Sequence, residues 1–565
     1  MKSLDFPGRA PQAPTAGRIL VEALAANGID RVFCVPGESY LGLLDALHGH
    51  PSIDMVVCRH EAGAGFMALA DARLTGRPGV ALVSRGPGAS NAAIAVHTAE
   101  QDGVPFILIV GQVPVKDLRR GAFQEIDYAR MYGASAKWTA EATGAEQMAQ
   151  IMRRAVEIAT SGLPGPVVIA APEDVLTASA AAPAPGELRA KPGVAVAPAP
   201  RGVQTLRLWL AEAERPLVLA GSALDRSGGR EALKGFLEAR CLPTVVSFRR
   251  QDLFPNAHAL YAGDMGLSNP EAQMAMLRQA DLLLVLGARL SDITTQGYAF
   301  PGEKRAGMKL VHVHSDPAVL ENRFAPDLGI ACDPQALMAA LGNGSPPRPG
   351  REQWIARLKA EQRKIASPRR FDVDDGIPFE LVVDRVGRHL PRDAIVTVDA
   401  GTFGAPVYRV VPFAPPQRLL APISGAMGFG VPAAVAAALR CAGRPVLCFV
   451  GDGGFLMTGN ELAVAKERKL PLKVILSENG MYASIRIQQE REFPGRVSGT
   501  GFENPDFELI GRAFGFAVAR LRSVADLDLL PAILAAPGPQ FVVVDTSVKA
   551  VMPKAATPPA KHQGE

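Results

Sequence analysis

Short apolar runs rich in β-branched residues recur along the whole chain, each followed by a stretch of helix length. RVFCVP, DMVVC, GVALVS and FILIVG occupy the first third, PLVLAG, PTVVSF, DLLLVLG and KLVHVH the middle, and AIVTVD, VLCFVGDG, LKVILSEN and QFVVVD the last part. Strands that alternate with helices predict parallel sheets covered on both faces. The fold class expected is therefore α/β, with three doubly wound parallel-sheet domains. The Ala/Pro-rich stretch Leu176 to Arg201 reads as an extended linker without regular helix, and GNGSPPRPG from Gly342 to Gly350 as a second boundary. The domains expected are residues 1–180, 200–345 and 370–552, with a Lys/Ala/Pro-rich tail at 553–565 that reads as disordered.

Composition narrows the function. At 565 residues the chain is too long for one core, and 48% apolar residues give each domain an interior. Sixty Lys and Arg against 56 Asp and Glu form no basic stripe, which argues against nucleic acid as a partner. The six cysteines are scattered without CxxC pairs and read as buried thiols of a reducing compartment. The N-terminus has no apolar signal region and no apolar run is long enough to span a bilayer, so a cytoplasmic protein without a membrane partner is expected.

The strongest chemical signal is VLCFVGDGGFLMTGNELAVAKERKLPLKVILSENGMY. One apolar strand ends at Gly451-Asp452-Gly453-Gly454 and another at Asn479. In a parallel sheet both ends reach the carboxyl edge, where open α/β folds bind ligands. Asp452 and Asn479 would meet there as hard oxygen donors suited to Mg²⁺, beside glycines that let backbone N–H groups approach a phosphate. Thr458 and Glu461 have the spacing of a capping box for the helix between the strands. A Gly-Asp-Gly turn alone is usually only a turn; the spacing to Asn479 reverses that reading.

This segment resembles the thiamine-diphosphate signature of the acetolactate synthase-like enzymes. The resemblance runs from about Thr15 to about Met552, and it implies pyrimidine-binding, central Rossmann-like and diphosphate-binding domains in that order. It further implies that Asp452, Asn479 and the backbone carbonyl of Met481 hold Mg²⁺, and that Gly453 and Gly454 contact the diphosphate. Gly401, Thr402 and Phe403 match a further diphosphate loop. Glu478 stands where the family has another Asn and has no explanation in the sequence.

Thiamine chemistry needs a carbanion at the thiazolium C2, which water at neutral pH is too weak a base to generate. In the family a carboxylic acid on the pyrimidine N1′ favours the tautomer that removes the C2 proton. The stretch VVCRHEAGAGFMALADARLTGRPGVALVSRGPGASN resembles the family's RHE segment and its following loop, which makes Glu61 the matching acid. Read from the residues alone, Glu61 is a dipole partner of a helix start. ISGAMGFGVPAAVAAAL resembles the stretch that bends the cofactor, implying Met427 as the wedge under its rings and the Gly425 carbonyl as acceptor for the 4′-amino group; a structural Met in a helix-entry turn is the plain alternative. Gln124 matches a site-lining position with a catalytic part. The resemblance also implies a homodimer or homotetramer, with Glu61 and Asp452 from different chains acting on one cofactor.

Activity then reads as formation or cleavage of a carbon–carbon bond beside a carbonyl, by decarboxylation of a 2-oxo acid with carboligation; a decarboxylase or lyase with a non-pyruvate substrate is the alternative. True synthases hold the second 2-oxo acid with an Arg and a Trp; Ile293 and Gln488 stand at those places. Without that guanidinium the acceptor pocket is expected to lack a cation and to favour an aldehyde over a second pyruvate. Glu38 and Ser39 stand where the synthases have small residues. Relatives hold FAD, ADP or nothing in the central domain; Arg289 and Asp316 match FAD-contacting positions, and both also suit the strand ends of an empty domain. A flavin or nicotinamide oxidoreductase lacks its GxGxxG fingerprint here. A storage protein that binds thiamine diphosphate without turnover would not need Glu61.

Overall fold

A computed structural model describes residues 13–191, 193, 195–305, 307–342 and 349–552. The expected tail and most of the Gly342 to Gly350 boundary lie outside the described residues. The chain divides into two compact units, residues 1–194 and 195–565.

The first unit is built on one parallel sheet of β1 (Arg31–Cys34), β2 (Asp54–Val57), β3 (Gly79–Ser84), β4 (Phe106–Gln112), β5 (Trp138–Glu141) and β6 (Pro166–Pro172), in the order β2-β1-β3-β4-β6-β5. Every residue of β4 and β6 is buried, as expected of central strands covered by helices on both faces. The chain reverses its direction of winding between β1 and β3, and the segments after β1, β2 and β3 meet at that switch point.

The second unit carries two such sheets. The central one comprises β7 (Pro216–Ala220), β8 (Thr244–Val246), β9 (Tyr261–Asp264), β10 (Leu282–Leu286), β11 (Lys309–His314) and β12 (Leu328–Ala331), ordered β12-β11-β10-β7-β8-β9. The C-terminal one comprises β13 (Ile395–Val398), β14 (Arg418–Leu420), β15 (Val446–Gly451), β16 (Lys473–Glu478), β17 (Ala517–Leu521) and β18 (Gln540–Asp545), ordered β14-β13-β15-β16-β18-β17. Its switch point lies between β13 and β15. Three parallel six-stranded sheets give the expected α/β fold.

Two expectations need correction. Leu176 to Arg201 is not free of helix: Pro185–Leu188 forms one turn, and Pro200–Glu212 begins within the stretch. Both start with proline at the first helical position, where its missing N–H costs nothing and its fixed φ suits the helix. The Thr458/Glu461 capping box does not form either. The helix begins earlier, at Asp452, and the Thr458 hydroxyl donates instead to the Gly428 carbonyl at 2.6 Å.

A buried ionic cluster ties the central sheet to the C-terminal one. Arg230 and Arg418 both reach Asp225 and Asp252, at 2.5 and 2.9 Å for Arg230 and 2.9 and 3.2 Å for Arg418. Asn256 adds a second tie, its backbone and side chain exchanging hydrogen bonds with Phe413 at 2.8 and 3.0 Å. Removing one guanidinium from a buried cluster leaves a carboxylate uncompensated. Arg418→Ala is therefore expected to cost about 3–5 kcal/mol of stability, measured by urea unfolding; a loss below about 1 kcal/mol would show that the cluster does not hold the two sheets together.

Candidate active site

At the switch point of the C-terminal sheet, the segments after β13, β14, β15 and β16 enclose a cavity of about 210 Å³. Gly401, Thr402, Phe403, Gly425, Met427, Asp452, Gly453, Gly454, Asn479 and Met481 all line it. Ten residues singled out from four separated stretches of sequence are thus brought to one place, each by the end of a parallel strand or the turn before a helix.

Asp452 follows β15 directly and is 3% exposed. Its carboxylate accepts backbone N–H groups from Gly453 (2.8 Å), Asn479 (2.8 Å) and Gly480 (2.7 Å), and the Asn504 side-chain amide at 3.0 Å. Among the described residues no Lys, Arg or His forms an ion pair with it. A buried carboxylate held by neutral donors alone suits a cation in the adjoining cavity. Two further oxygens are at hand, the Asn479 side-chain oxygen and the Met481 carbonyl, on residues that line the same wall. The Asn504 amide oxygen is buried without a hydrogen-bond partner. Among the described residues no three His, Cys, Asp or Glu side chains form a metal cluster, so a cation here would rest on one carboxylate and neutral oxygens, a set that fits Mg²⁺ completed by a phosphate. Gly453 and Gly454 are required by packing as well: a Cβ would lie 2.7 Å from the Tyr482 ring and 3.1 Å from the Asp399 carboxylate respectively.

Asp399, absent from the sequence-derived site, organises the other wall. It is fully buried at the end of β13, and its carboxylate accepts the N–H groups of Ala400 (2.6 Å), Gly428 (2.9 Å) and Gly430 (2.9 Å). These bonds fix the turn carrying Gly425 and Met427. Its signal was visible as the carboxylate ending AIVTVD just before Gly401.

In the first unit, Glu61 opens helix Glu61–Thr75 behind the N-cap His60. One of its carboxylate oxygens accepts the Asn91 side-chain amide at 2.9 Å, an orienting contact. Asn91 belongs to helix Arg85–Asp102, so the RGPGASN stretch is the start of a helix and not a loop. Gln124 has φ +63 and an exposed side chain, while its carbonyl accepts the Gly86 N–H at 2.9 Å. Its visible part is backbone support of that helix start. Ser39 is buried with its hydroxyl 2.8 Å from that of Ser84, and the Glu38 side chain is 74% exposed, 3.9 Å from Arg85.

A second cavity of about 390 Å³ lies between the central and C-terminal sheets and shares Ala400, Gly401, Thr402, Gly425 and Ser484 with the first. Gln488 lines it and Ile293 does not; Arg249, Arg409 and Asp264 do. Two arginines thus line the same cavity as Gln488, whereas Ile293 and Gln488 themselves bring no cation to it. Neither Arg289 nor Asp316 lines either cavity. The Asp316 carboxylate caps the turn Pro317–Val319 through the Ala318 N–H at 3.0 Å. Glu478 is explained: Arg520 bridges it, at 2.8 Å, to Asp545, at 2.6 Å, on the neighbouring β18.

Residues 14–131 match the thiamine pyrophosphate enzyme N-terminal TPP binding domain, 203–341 its central domain and 399–545 its C-terminal TPP binding domain. Acetolactate synthase isozyme 1 large subunit of Escherichia coli K12 is 32% identical, covering 94% of this chain and 93% of its own. The protein named "Probable 2-ketoarginine decarboxylase AruI" of Pseudomonas aeruginosa is 33% identical, over 93% and 92%. The acetolactate synthase large subunit of Lactococcus lactis is 29% identical, over 90% and 89%.

Burial pushes the Asp399 carboxyl up from 3.8 to about 6, outweighing the N–H bonds from Gly430, Ala400 and Gly428 that pull it down. An acid whose folded pKa is raised binds its proton more tightly in the fold. It stabilises fully below the unfolded value, and the contribution is lost as pH rises through the folded value. Wild type is thus expected to lose unfolding free energy relative to Asp399→Asn between pH 3.8 and about 6. Urea titrations across that range check this; parallel curves for the two proteins would refute it.

Proposed function

The chain belongs to the thiamine-diphosphate-dependent, acetolactate synthase-like enzymes, and from that membership we propose that it decarboxylates a 2-oxo acid and transfers the remaining acyl group, with the electron pair of the broken bond, to a carbonyl acceptor, with Mg²⁺ as the metal. The carrying observation is Asp452, a buried carboxylate without a cationic partner on the wall of a cavity at a switch point. Bound thiamine diphosphate supplies the electron sink that lets a bond beside a carbonyl break or form.

The chain's own residues divide the remaining work. Asp452, Asn479 and the Met481 carbonyl would hold Mg²⁺, with Gly453, Gly454 and the Gly401 to Phe403 segment against the diphosphate. Met427 would hold the cofactor bent and the Gly425 carbonyl would accept from its 4′-amino group. Glu61, oriented by Asn91, would share a proton with the pyrimidine N1′. Gln124 is assigned to the same reaction space through the helix start it supports.

FAD does not enter this reading. Arg289 and Asp316 line neither cavity, and at the central switch point the loops after β7 and β10 bond to each other, Gly221 N–H to the Leu286 carbonyl at 2.9 Å and Ala223 N–H to the Gly287 carbonyl at 3.0 Å. No step is derived through that group. A decarboxylase with a longer 2-oxo acid is the second reading, favoured by the likeness to the AruI protein. A homodimer or homotetramer is part of the proposal: Leu456, Met457 and Ile485, beside the cofactor cavity, are 48%, 46% and 56% exposed, an apolar rim that a second copy would cover. A cytoplasmic location is also proposed; among the described residues no helix is long and apolar enough to cross a membrane.

Carbon dioxide release and hydroxyketone formation from a panel of 2-oxo acids and aldehydes, with thiamine diphosphate and Mg²⁺, test the reaction directly. Asp452→Ala is expected to abolish cofactor binding in calorimetry, because the metal loses its anionic ligand; unchanged affinity would remove Asp452 from the metal site. Glu61→Gln is expected to keep cofactor affinity while C2 proton exchange slows by roughly a hundredfold or more. Wild-type exchange in that variant would sink the assignment. Light scattering that shows a monomer would overturn the oligomer.

A further inference from the structure

Arg249 is a buried guanidinium with no carboxylate in contact among the described residues. It follows β8, is 3% exposed and has φ +56, a left-handed conformation that a residue with a side chain holds only where its surroundings dictate it. The guanidinium lies 4.7 Å from the Phe248 ring and 5.4 Å from the Tyr408 ring. One terminal nitrogen donates to the Pro422 carbonyl, on the segment that leads to Gly425, and the Nε–H has no partner. Among the described residues no carboxylate forms an ion pair with it. Asp399 hydrogen-bonds only backbone N–H groups and feels the Arg249 charge through space without contact, while Asp264, in the same cavity, has its electrostatic partner in Arg409. A buried, always-charged group with unused donors is costly unless an anion completes it.

The cavity says which anion. Arg249 lines the larger cavity and not the smaller one, where Asp452 and the glycines would meet the metal and diphosphate. The two cavities share Gly401, Thr402 and Gly425, so an anion at Arg249 sits beside the cofactor's place, in a space that Asp452, Gly453 and Gly454 do not line. The geometry points to Arg249 as the residue that binds the carboxylate of an acceptor 2-oxo acid, the carboxylate that survives into the product; this rests on the function proposed above. The donor's carboxylate is the wrong match. It leaves as carbon dioxide, and a guanidinium gripping it would stabilise the ground state over the transition state. Gln488, lining the same cavity, offers an amide to the acceptor's remaining polar groups.

The test uses the holoenzyme with thiamine diphosphate and Mg²⁺. Calorimetry compares 2-hydroxyisobutyrate, whose carboxylate is retained, with its neutral amide. Wild type is expected to bind the acid at least about tenfold more tightly, and Arg249→Met to lose about ten- to a hundredfold in acid affinity with the amide little changed. Arg249→Lys should fall between. In parallel, with pyruvate as donor and equal pyruvate and aldehyde as acceptors, Arg249→Met should shift the product ratio toward the hydroxyketone by a similar factor. Equal binding of acid and amide by wild type overturns the proposal without any variant, so a variant that does not fold leaves it testable. It is also overturned if Arg249→Met keeps the acid preference, or if its main loss is thiamine-diphosphate affinity, which would assign the guanidinium to the diphosphate. A wild-type holoenzyme that prefers the acid but consumes no 2-oxo acid would instead overturn the proposed reaction and leave the carboxylate site standing.

Discussion

Backbone amides carry the negative charge at the carboxyl edge of the C-terminal sheet, and the site depends on that arrangement. Asp399 and Asp452 end adjacent strands on the two sides of a switch point, both buried, and both held by N–H groups of the turns around them. These bonds fix the turns as firmly as the turns fix the carboxylates. Because a partial positive charge on an amide does not neutralise a full negative one, Asp452 remains able to attract a cation. An Arg or Lys in the same place would have consumed that capacity.

Elsewhere buried charge is gathered into ion-paired clusters. Arg230 and Arg418 sit between Asp225 and Asp252, and Arg520 sits between Glu478 and Asp545. These clusters join one sheet to another or one strand end to the next, each carboxylate facing a guanidinium of the same chain. Glu478 belongs to this second kind, although it stands one residue before Asn479. The distinction separates structural from functional charge without reference to distance along the chain: Asp452 and Arg249 are buried and open, whereas Asp252 and Glu478 are buried and ion-paired.

Much of this was legible beforehand for identifiable reasons. A parallel strand delivers its last residue to one edge, so apolar runs ending at Gly451 and Glu478 were enough to bring Asp452 and Asn479 together. Local chemistry misled where tertiary contacts outbid it. Thr458 has the spacing of a cap, but its hydroxyl reaches a carbonyl thirty residues earlier in the chain, a partner no short-range rule contains. Asp399 was passed over because its contacts with Gly428 and Gly430 come from residues separated from it by a helix and a strand. The helices inside the Ala/Pro-rich stretch were missed because proline breaks a helix in its interior and starts one at its first position.

Specificity was the least legible layer, and SFRRQD shows why. Two adjacent arginines follow β8, and both are buried, at 3% and 1% exposure. Composition and hydrophobic period treat them alike. What separates them is one dihedral: the left-handed turn at Arg249 sends its side chain to the cavity wall between two aromatic rings, while Arg250 turns back, one of its terminal nitrogens 3.3 Å from the Arg249 carbonyl. A left-handed residue with a side chain is paid for by its surroundings and not signalled by its own identity. The guanidinium missing at Ile293 therefore argued only about one position. Arg249 reaches the cavity that Gln488 lines from a different loop, by a backbone conformation that only the packed structure specifies.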